Sequence, residues 1–131
     1  MATSRLKVHF PCPVEQVWNT VTDLTHTAWR SDLARVEVLD ETHFVEHTQS
    51  GYATEFTVTA CEPFHFWAFT MENGNMSGAW EGAFQVAEGG TWLTCTETVR
   101  AKRWWMGPFV PGYLKRQQKL YLDDLRKELL K

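Results

Sequence analysis

The last twenty or so residues, Gly112 to Lys131, are the strongest constraint on what this chain can fold into. They form one long two-faced helical pattern that follows seven apparent strands. At about 100° per residue, Val110, Leu114, Gln118, Tyr121, Leu122, Leu125 and Leu129 share one sector, while Lys115, Arg116, Lys119, Asp123, Arg126 and Lys127 lie opposite. An apolar stripe of this kind needs a surface to cover, and in a strand-rich chain that surface is a sheet. Gln118 interrupts the stripe, and a buried amide there must find a backbone partner, a water or a ligand.

Upstream, Leu6, Val8 and Phe10 alternate with Arg5, Lys7 and His9, the period of a half-buried first strand. Pro11 and Pro13 stop it, and Pro13 begins a short amphipathic helix carrying Val14, Val17, Trp18 and Val21, ending near Asp23. A second short helix or turn is expected over Leu24 to Trp29. Six strands follow: Arg35 to Leu39, His43 to Thr48, Tyr52 to Cys61, His65 to Glu72, Gly78 to Ala87 and Thr91 to Arg100. The breaks Asp40-Glu41, Ser50-Gly51, Glu62-Pro63, Asn73-Gly74 and Gly89-Gly90 are short, so neighbouring strands are antiparallel. The expected order is β-α-α-β6-α, an α+β fold in one domain spanning residues 1–131.

Thirteen basic against sixteen acidic residues, with no basic block, exclude the electrostatic footprint of a nucleic-acid binder. No apolar run approaches the roughly 20 residues that span a bilayer, so stable membrane insertion is not expected. Cys12, Cys61 and Cys95 are odd in number and widely spaced, and Met1 to Lys7 is polar, so a reduced, cytoplasmic setting is expected. Seven Trp, eight Phe and three Tyr supply more rigid apolar surface than a minimal core requires, a composition suited to pockets and interfaces.

The stretches "FPCPVEQVWNTVTDLTHTAWRSDLARVEVLD", "FTVTACEPFHFWAFTM", "GGTWLTCTETV" and "YLKRQQKLYLDDLRKELLK" together resemble the START-like, helix-grip superfamily called SRPBCC, in its polyketide cyclase/dehydrase and lipid-transport branch. The resemblance covers nearly the whole chain. It implies a curved seven-stranded antiparallel sheet gripping the C-terminal helix, with an apolar cavity between them for a lipid, polyketide or aromatic compound. Trp18, Asp23, Trp29, Pro63 and Gly90-Thr91 match the family by position and look structural in it.

On this basis Trp18, Trp29, Phe56, Trp67, Phe69, Trp80, Phe84 and Leu114 are the expected cavity walls, with Gln118 and Tyr121 as polar contacts to a ligand. Gln118 has a second role open to it, a bond to a backbone group or the helix rim. Pattern alone does not separate Trp67, Phe69 and Met71 from Phe66 and Ala68, because both faces of that strand are apolar.

Strand parity places Glu97 with Leu93, Cys95 and Val99 on the inner face. Inside a cavity it would be a general acid or base beside Tyr121; the commoner role for such a carboxylate is an ion pair with Arg100 or Lys102. Glu46 and Glu55 are expected to be solvated. His43 and His47, four apart on a strand, lie about 13 Å from each other and cannot share a metal ion, so no metal site is expected. There is no P-loop, dinucleotide or G-x-S-x-G signature, and no cofactor is expected. Cys95 is expected to be an inert buried thiol. Trp104, Trp105 and Phe109, in a loop broken by Gly107, Pro108, Pro111 and Gly112, are expected to gate the cavity; a homodimer contact or a membrane-touching patch are the alternatives.

Three functions follow. A binding module for a hydrophobic small molecule comes first, a cyclase or dehydratase using Glu97 or Tyr121 for proton transfer second, and a co-chaperone-like protein-interaction module third.

Overall fold

A computed structural model describes all 131 residues. The elements are β1 (Ala2–Phe10), α1 (Val14–Thr22), β2 (Leu33–Val38), β3 (His43–Thr48), β4 (Ala53–Glu62), β5 (Phe66–Glu72), β6 (Met76–Ala87), β7 (Gly90–Ala101), a 3₁₀ helix (Trp104–Phe109) and α2 (Val110–Leu129). The seven strands form one antiparallel sheet in the order β1-β7-β6-β5-β4-β3-β2. Sequential hairpins build β2 to β7, and the first strand returns to pair with the last.

The expected strands are present, several extended by one to three residues. The expected second helix is absent. Leu24 to Trp29 forms turns, because Asp23 takes the Thr25 N–H at 3.0 Å and the Thr25 hydroxyl at 2.6 Å, and Trp29 Nε1 donates to the His26 carbonyl at 3.0 Å. With the Thr25 N–H and the His26 carbonyl drawn to side chains, this six-residue stretch does not nucleate a helix. Conversely, Trp104–Phe109 winds into a 3₁₀ helix where a loop was expected.

α1 buries Val14, Val17, Trp18 and Val21, and α2 buries Leu114, Gln118, Leu122, Asp124, Leu125 and Leu129. Leu122, Leu125 and Leu129 join Phe10, Cys12, Val17 and Leu93 in the main core. Arg126, expected on the solvent face, bends back to lie 5.0 Å over the Phe10 ring and donates to the His9 carbonyl at 3.0 Å. The half-buried guanidinium itself thereby covers the ring face. Asp124 accepts from the backbone N–H and hydroxyl of Ser31 at 2.9 and 2.8 Å, fastening α2 to the segment before β2.

The β6–β7 turn is equally constrained. Gly90 has φ +156°, and a Cβ there would stand 2.0 Å from the Phe10 carbonyl oxygen, so only glycine fits. Thr91 is wholly buried and donates its hydroxyl to the Cys12 carbonyl at 2.8 Å. Alternation along β4 holds for Phe56, which points inward. Tyr52 falls just before the strand and is exposed, and an irregularity between Val58 and Ala60 breaks the pattern beyond it.

Candidate functional site

A cavity of about 140 Å³ lies between the sheet and the N-terminal half of α2. Its placement follows from register. Phe69 pairs with Trp80, Trp80 with Glu97, and Glu97 with Ser4, which makes one inward row across β5, β6, β7 and β1. A second row joins Phe44 to Phe56 and Phe56 to Met71. Because side chains alternate along each strand, Trp67, Phe69 and Met71 share the inner face and Phe66 takes the outer one. Phe69 and Trp80 stack at 5.1 Å and 9°, and Phe44 and Phe56 at 4.8 Å and 3°. Gly82 leaves room for Trp80, since a Cβ there would meet the indole at 2.6 Å.

The polar side of the cavity is built from elements far apart in sequence. Arg30, in the segment between α1 and β2, places Nη1 3.3 Å from Glu46 Oε2 on β3 and Nη2 3.3 Å from Asp32 Oδ2. Its guanidinium lies 5.0 Å over the Tyr121 ring and 5.9 Å over the Trp29 ring. Burial alone would favour the neutral guanidine, but Glu46 and Asp32 outweigh it and hold Arg30 above the ordinary arginine range. Arg30 Nε is buried and has no hydrogen-bond partner. Burial raises Glu46 in spite of Arg30.

Glu97 is half-buried and faces the cavity, and it makes no ion pair. Desolvation, reinforced by Glu46 and only partly offset by Arg30, pushes its pKa up to about 7. The expected pairing with Arg100 or Lys102 does not occur; Lys102 reaches Glu72 at 2.8 Å instead. Cys95 is pushed up to about 12 by burial and then by Glu97, so it remains a thiol. Burial likewise raises Tyr121 above its usual range and keeps it a neutral hydroxyl. A carboxyl that titrates near neutrality beside a neutral phenol and aromatic walls can accept or donate one proton, or hold a polar group in place.

Gln118 is only 3% exposed, and its amide is fully engaged by the sheet. Ser4 Oγ donates to Oε1 at 2.8 Å, while Nε2 donates to the Ser4 carbonyl at 3.0 Å and the Cys95 carbonyl at 3.4 Å. Of its two open roles, the geometry is that of a bond to backbone: Gln118 ties α2 to β1 and β7 and borders the cavity with its amide already spent.

Trp29, Phe56, Trp67, Phe69, Trp80, Glu97, Gln118 and Tyr121 all border the cavity. Trp18, Phe84 and Leu114 do not. Trp18 and Phe84 pack edge to face at 5.0 Å in the core, and Leu114 is buried away from the cavity. Trp104, Trp105 and Phe109 do not line it either; Trp104 is 89% exposed. Among the contributors that went unrecognised in the sequence are Arg30, Asp32 and Phe44. Glu46 was expected in solvent and is enclosed instead, although it shares strand parity with Phe44 and Thr48, a signal that places it inward. His43 and His47 turn to Asp40 and Glu37 at 2.9 and 3.3 Å, and no three His, Cys, Asp or Glu side chains are placed to share a metal ion.

A seven-stranded antiparallel sheet crossed by a long C-terminal helix, with a cavity between them, defines a START-like helix-grip protein. The chain belongs to the polyketide cyclase/dehydrase and lipid-transport family, whose model matches residues 1–130. Among solved structures it is similar to a START superfamily protein from Mycobacterium smegmatis, with a TM-score of 0.85 and 12% identity over 98% of this chain and 97% of that one. It is also similar to DynU16, from the dynemicin biosynthetic locus, with a TM-score of 0.79 and 18% identity over 98% of this chain and 47% of that one. A third similar structure is the di-domain ARO/CYC protein BexL of the BE-7585A biosynthetic pathway, with a TM-score of 0.76 and 16% identity over 97% of this chain and 49% of that one. The chain thus spans about half the length of these last two. No curated protein matches the sequence. No helix is long and apolar enough to cross a membrane.

Proposed function

We propose that this protein binds a small hydrophobic molecule bearing one polar group. The apolar body lies against Trp67, Phe69 and Trp80, and the polar group meets Glu97 and the Tyr121 hydroxyl. The observation that carries this reading is Glu97 itself, a carboxyl without an ion-pair partner that opens onto an aromatic-walled cavity. Packed interiors rarely leave such a group without a purpose. The cavity, about 140 Å³, matches the size at which an engineered apolar cavity of about 150 Å³ takes up one benzene ring. Burial contributes about 25 cal/mol per Å² of apolar surface before ordering costs, and the polar group supplies selectivity.

Phenol tests the reading, because Trp29, Trp67 and Trp80 border the cavity and report occupancy through their emission. A saturable change on titration is expected, together with a bound small-molecule mass in native mass spectrometry of freshly purified protein. A response that stays linear to the solubility limit, with the protein empty in the spectrometer, sinks it.

Proton transfer of the cyclase or dehydratase kind is the second reading, favoured by the titration of Glu97 near pH 7. It predicts that the protein accelerates deuterium exchange at the carbon between the carbonyls of a small 1,3-diketone, and that Glu97→Gln removes the acceleration. An exchange rate identical to buffer leaves binding alone.

A further inference from the structure

The charge balance of the cavity goes beyond its shape. Arg30 is the only basic side chain that borders it. Both ends of its guanidinium are taken, by Glu46 at 3.3 Å and Asp32 at 3.3 Å. Two carboxylates against one guanidinium already leave the cluster short of positive charge, and Glu97 adds a third acid that makes no ion pair and that Arg30 only partly offsets. A bound carboxylate or phosphate would meet like charge and find, of this one guanidinium, only the buried Nε–H without a partner. A bound cation would find the reverse: an unpaired carboxylate in a cavity bordered by the aromatic rings of Trp29, Trp80 and Tyr121. The site already holds one cation in this manner, since Arg30 lies over Tyr121 at 5.0 Å and over Trp29 at 5.9 Å.

Building on the binding reading above, we propose that the cavity selects cationic ligands, an ammonium group on a small hydrophobic body, with the nitrogen at Glu97 and the body among the rings. Neutral isosteres bind more weakly and anionic ones are excluded.

The charge of Glu97 sets the pH dependence, and its neighbours do not reverse it. From the segment before β2 it faces Arg30 and Asp32, from β3 Glu46, from β7 Cys95, and from α2 Tyr113 and Tyr121. Asp23, at the end of α1, also borders the cavity and is held below the usual carboxylate range by its bonds to Thr25. Arg30 stays charged, Cys95 and both tyrosines stay neutral, and any proton Glu46 loses adds negative charge with rising pH, the same sign as Glu97. With Glu97 titrating at about 7, its ionised fraction rises about tenfold between pH 6 and pH 8.

Benzylamine, benzyl alcohol and benzoate present one ring with three charges, and calorimetric titration compares them. At pH 8 benzylamine is expected to bind at least about tenfold more tightly than benzyl alcohol, with no measurable benzoate binding. Lowering the pH to 6 weakens benzylamine by about tenfold and benzyl alcohol by much less, because a hydroxyl can bond to Glu97 in either protonation state whereas the ammonium needs the carboxylate. Glu97→Gln closes the gap between amine and alcohol, the amine losing at least about tenfold. The pH series on the unaltered protein gives the same answer should the variant not fold. Equal binding of amine and alcohol at pH 8, or a preference that survives Glu97→Gln, overturns cation selectivity while leaving hydrophobic binding intact. Failure of all three ligands to bind overturns the binding reading itself, and this one with it.

Discussion

The two halves of α2 cross the same sheet over different interiors. The C-terminal half, from Leu122 to Leu129, packs on Phe10, Val17 and Leu93 in a dry core, closed by the Thr91 hydroxyl on the Cys12 carbonyl and by Gln16 reaching the Leu129 carbonyl at 3.4 Å. The N-terminal half, from Tyr113 to Tyr121, looks onto a cavity that holds Arg30, Glu46 and Glu97. One end has nearly every polar group satisfied. The other keeps an acid without an ion pair and an arginine nitrogen without a hydrogen-bond partner. Both ends use the same helix and the same strands, so the difference lies in which residues the strands turn inward. Satisfied polar groups lie at one end and unmet polar capacity at the other, the division expected where a fold tolerates local cost for function.

The sharpest break of this comparison is a pair of truncations. Phe10→Ala removes a wholly buried ring from the packed end and is expected to cost about 3–5 kcal/mol, read as a lower urea midpoint. Phe56→Ala removes a ring that borders existing space, so it is expected to fall at or below the low end of the same range, about 3 kcal/mol. Equal losses would mean that the cavity end is packed as tightly as the core.

Glu97→Gln tests the other side of the contrast and should stabilise. Below pH 4.5 the carboxyl is protonated whether the chain is folded or not, and it costs nothing. Between 4.5 and 7 the unfolded chain releases a proton that the folded protein still holds, so stability falls as pH rises and levels off above 7. The full loss is at most about 3 kcal/mol from the displacement between 4.5 and about 7. The glutamine variant escapes it, and its advantage in denaturant unfolding should grow from nothing near pH 4 to its maximum by pH 8. A constant advantage across that range would mean that Glu97 titrates as an ordinary surface carboxylate.

The same contrast separates what the sequence could carry from what it could not. The fold was legible because its signals are local and repeated: two-residue alternation in the strands, the apolar stripe of α2, and short turns that allow only antiparallel neighbours. The inward placement of Glu97 was legible for the same reason, since Leu93, Cys95 and Val99 define the parity of β7. Arg30 was not. It sits in the polar segment between α1 and β2, and its burial arises only when β3 delivers Glu46 and α2 delivers Tyr121 around it. Trp18 and Phe84 failed in the opposite direction. Both are inward and aromatic, as wall residues should be, but Trp18 belongs to α1 and packs on Phe84 of β6, so the two fill that part of the interior as core.

Gln118→Leu sits on the boundary between the two halves. The leucine leaves the Ser4 hydroxyl and two buried carbonyls without their partner, so a loss of about 1–3 kcal/mol in unfolding free energy is expected. Phenol affinity, measured well below the unfolding transition, should change by less than about threefold, since the amide is turned to the sheet. A large loss of affinity with unchanged stability would reverse that assignment and make Gln118 a ligand contact.

The smallest effect is expected outside both halves. Trp104 stands 89% exposed on the 3₁₀ helix that leads into α2, and neither it nor Trp105 lines the cavity. Trp104→Ser should therefore shift unfolding by no more than about 0.5 kcal/mol, as substitutions at exposed positions do. Stopped-flow mixing with phenol then asks whether this corner gates the cavity. A gate that opens and closes slows both association and release, so its loss speeds the two rates together and leaves their ratio, the affinity, where it was. Unchanged rates in Trp104→Ser and in a Trp104→Ser/Trp105→Ser double variant would remove the gating role and leave these rings as surface free to meet something other than the ligand.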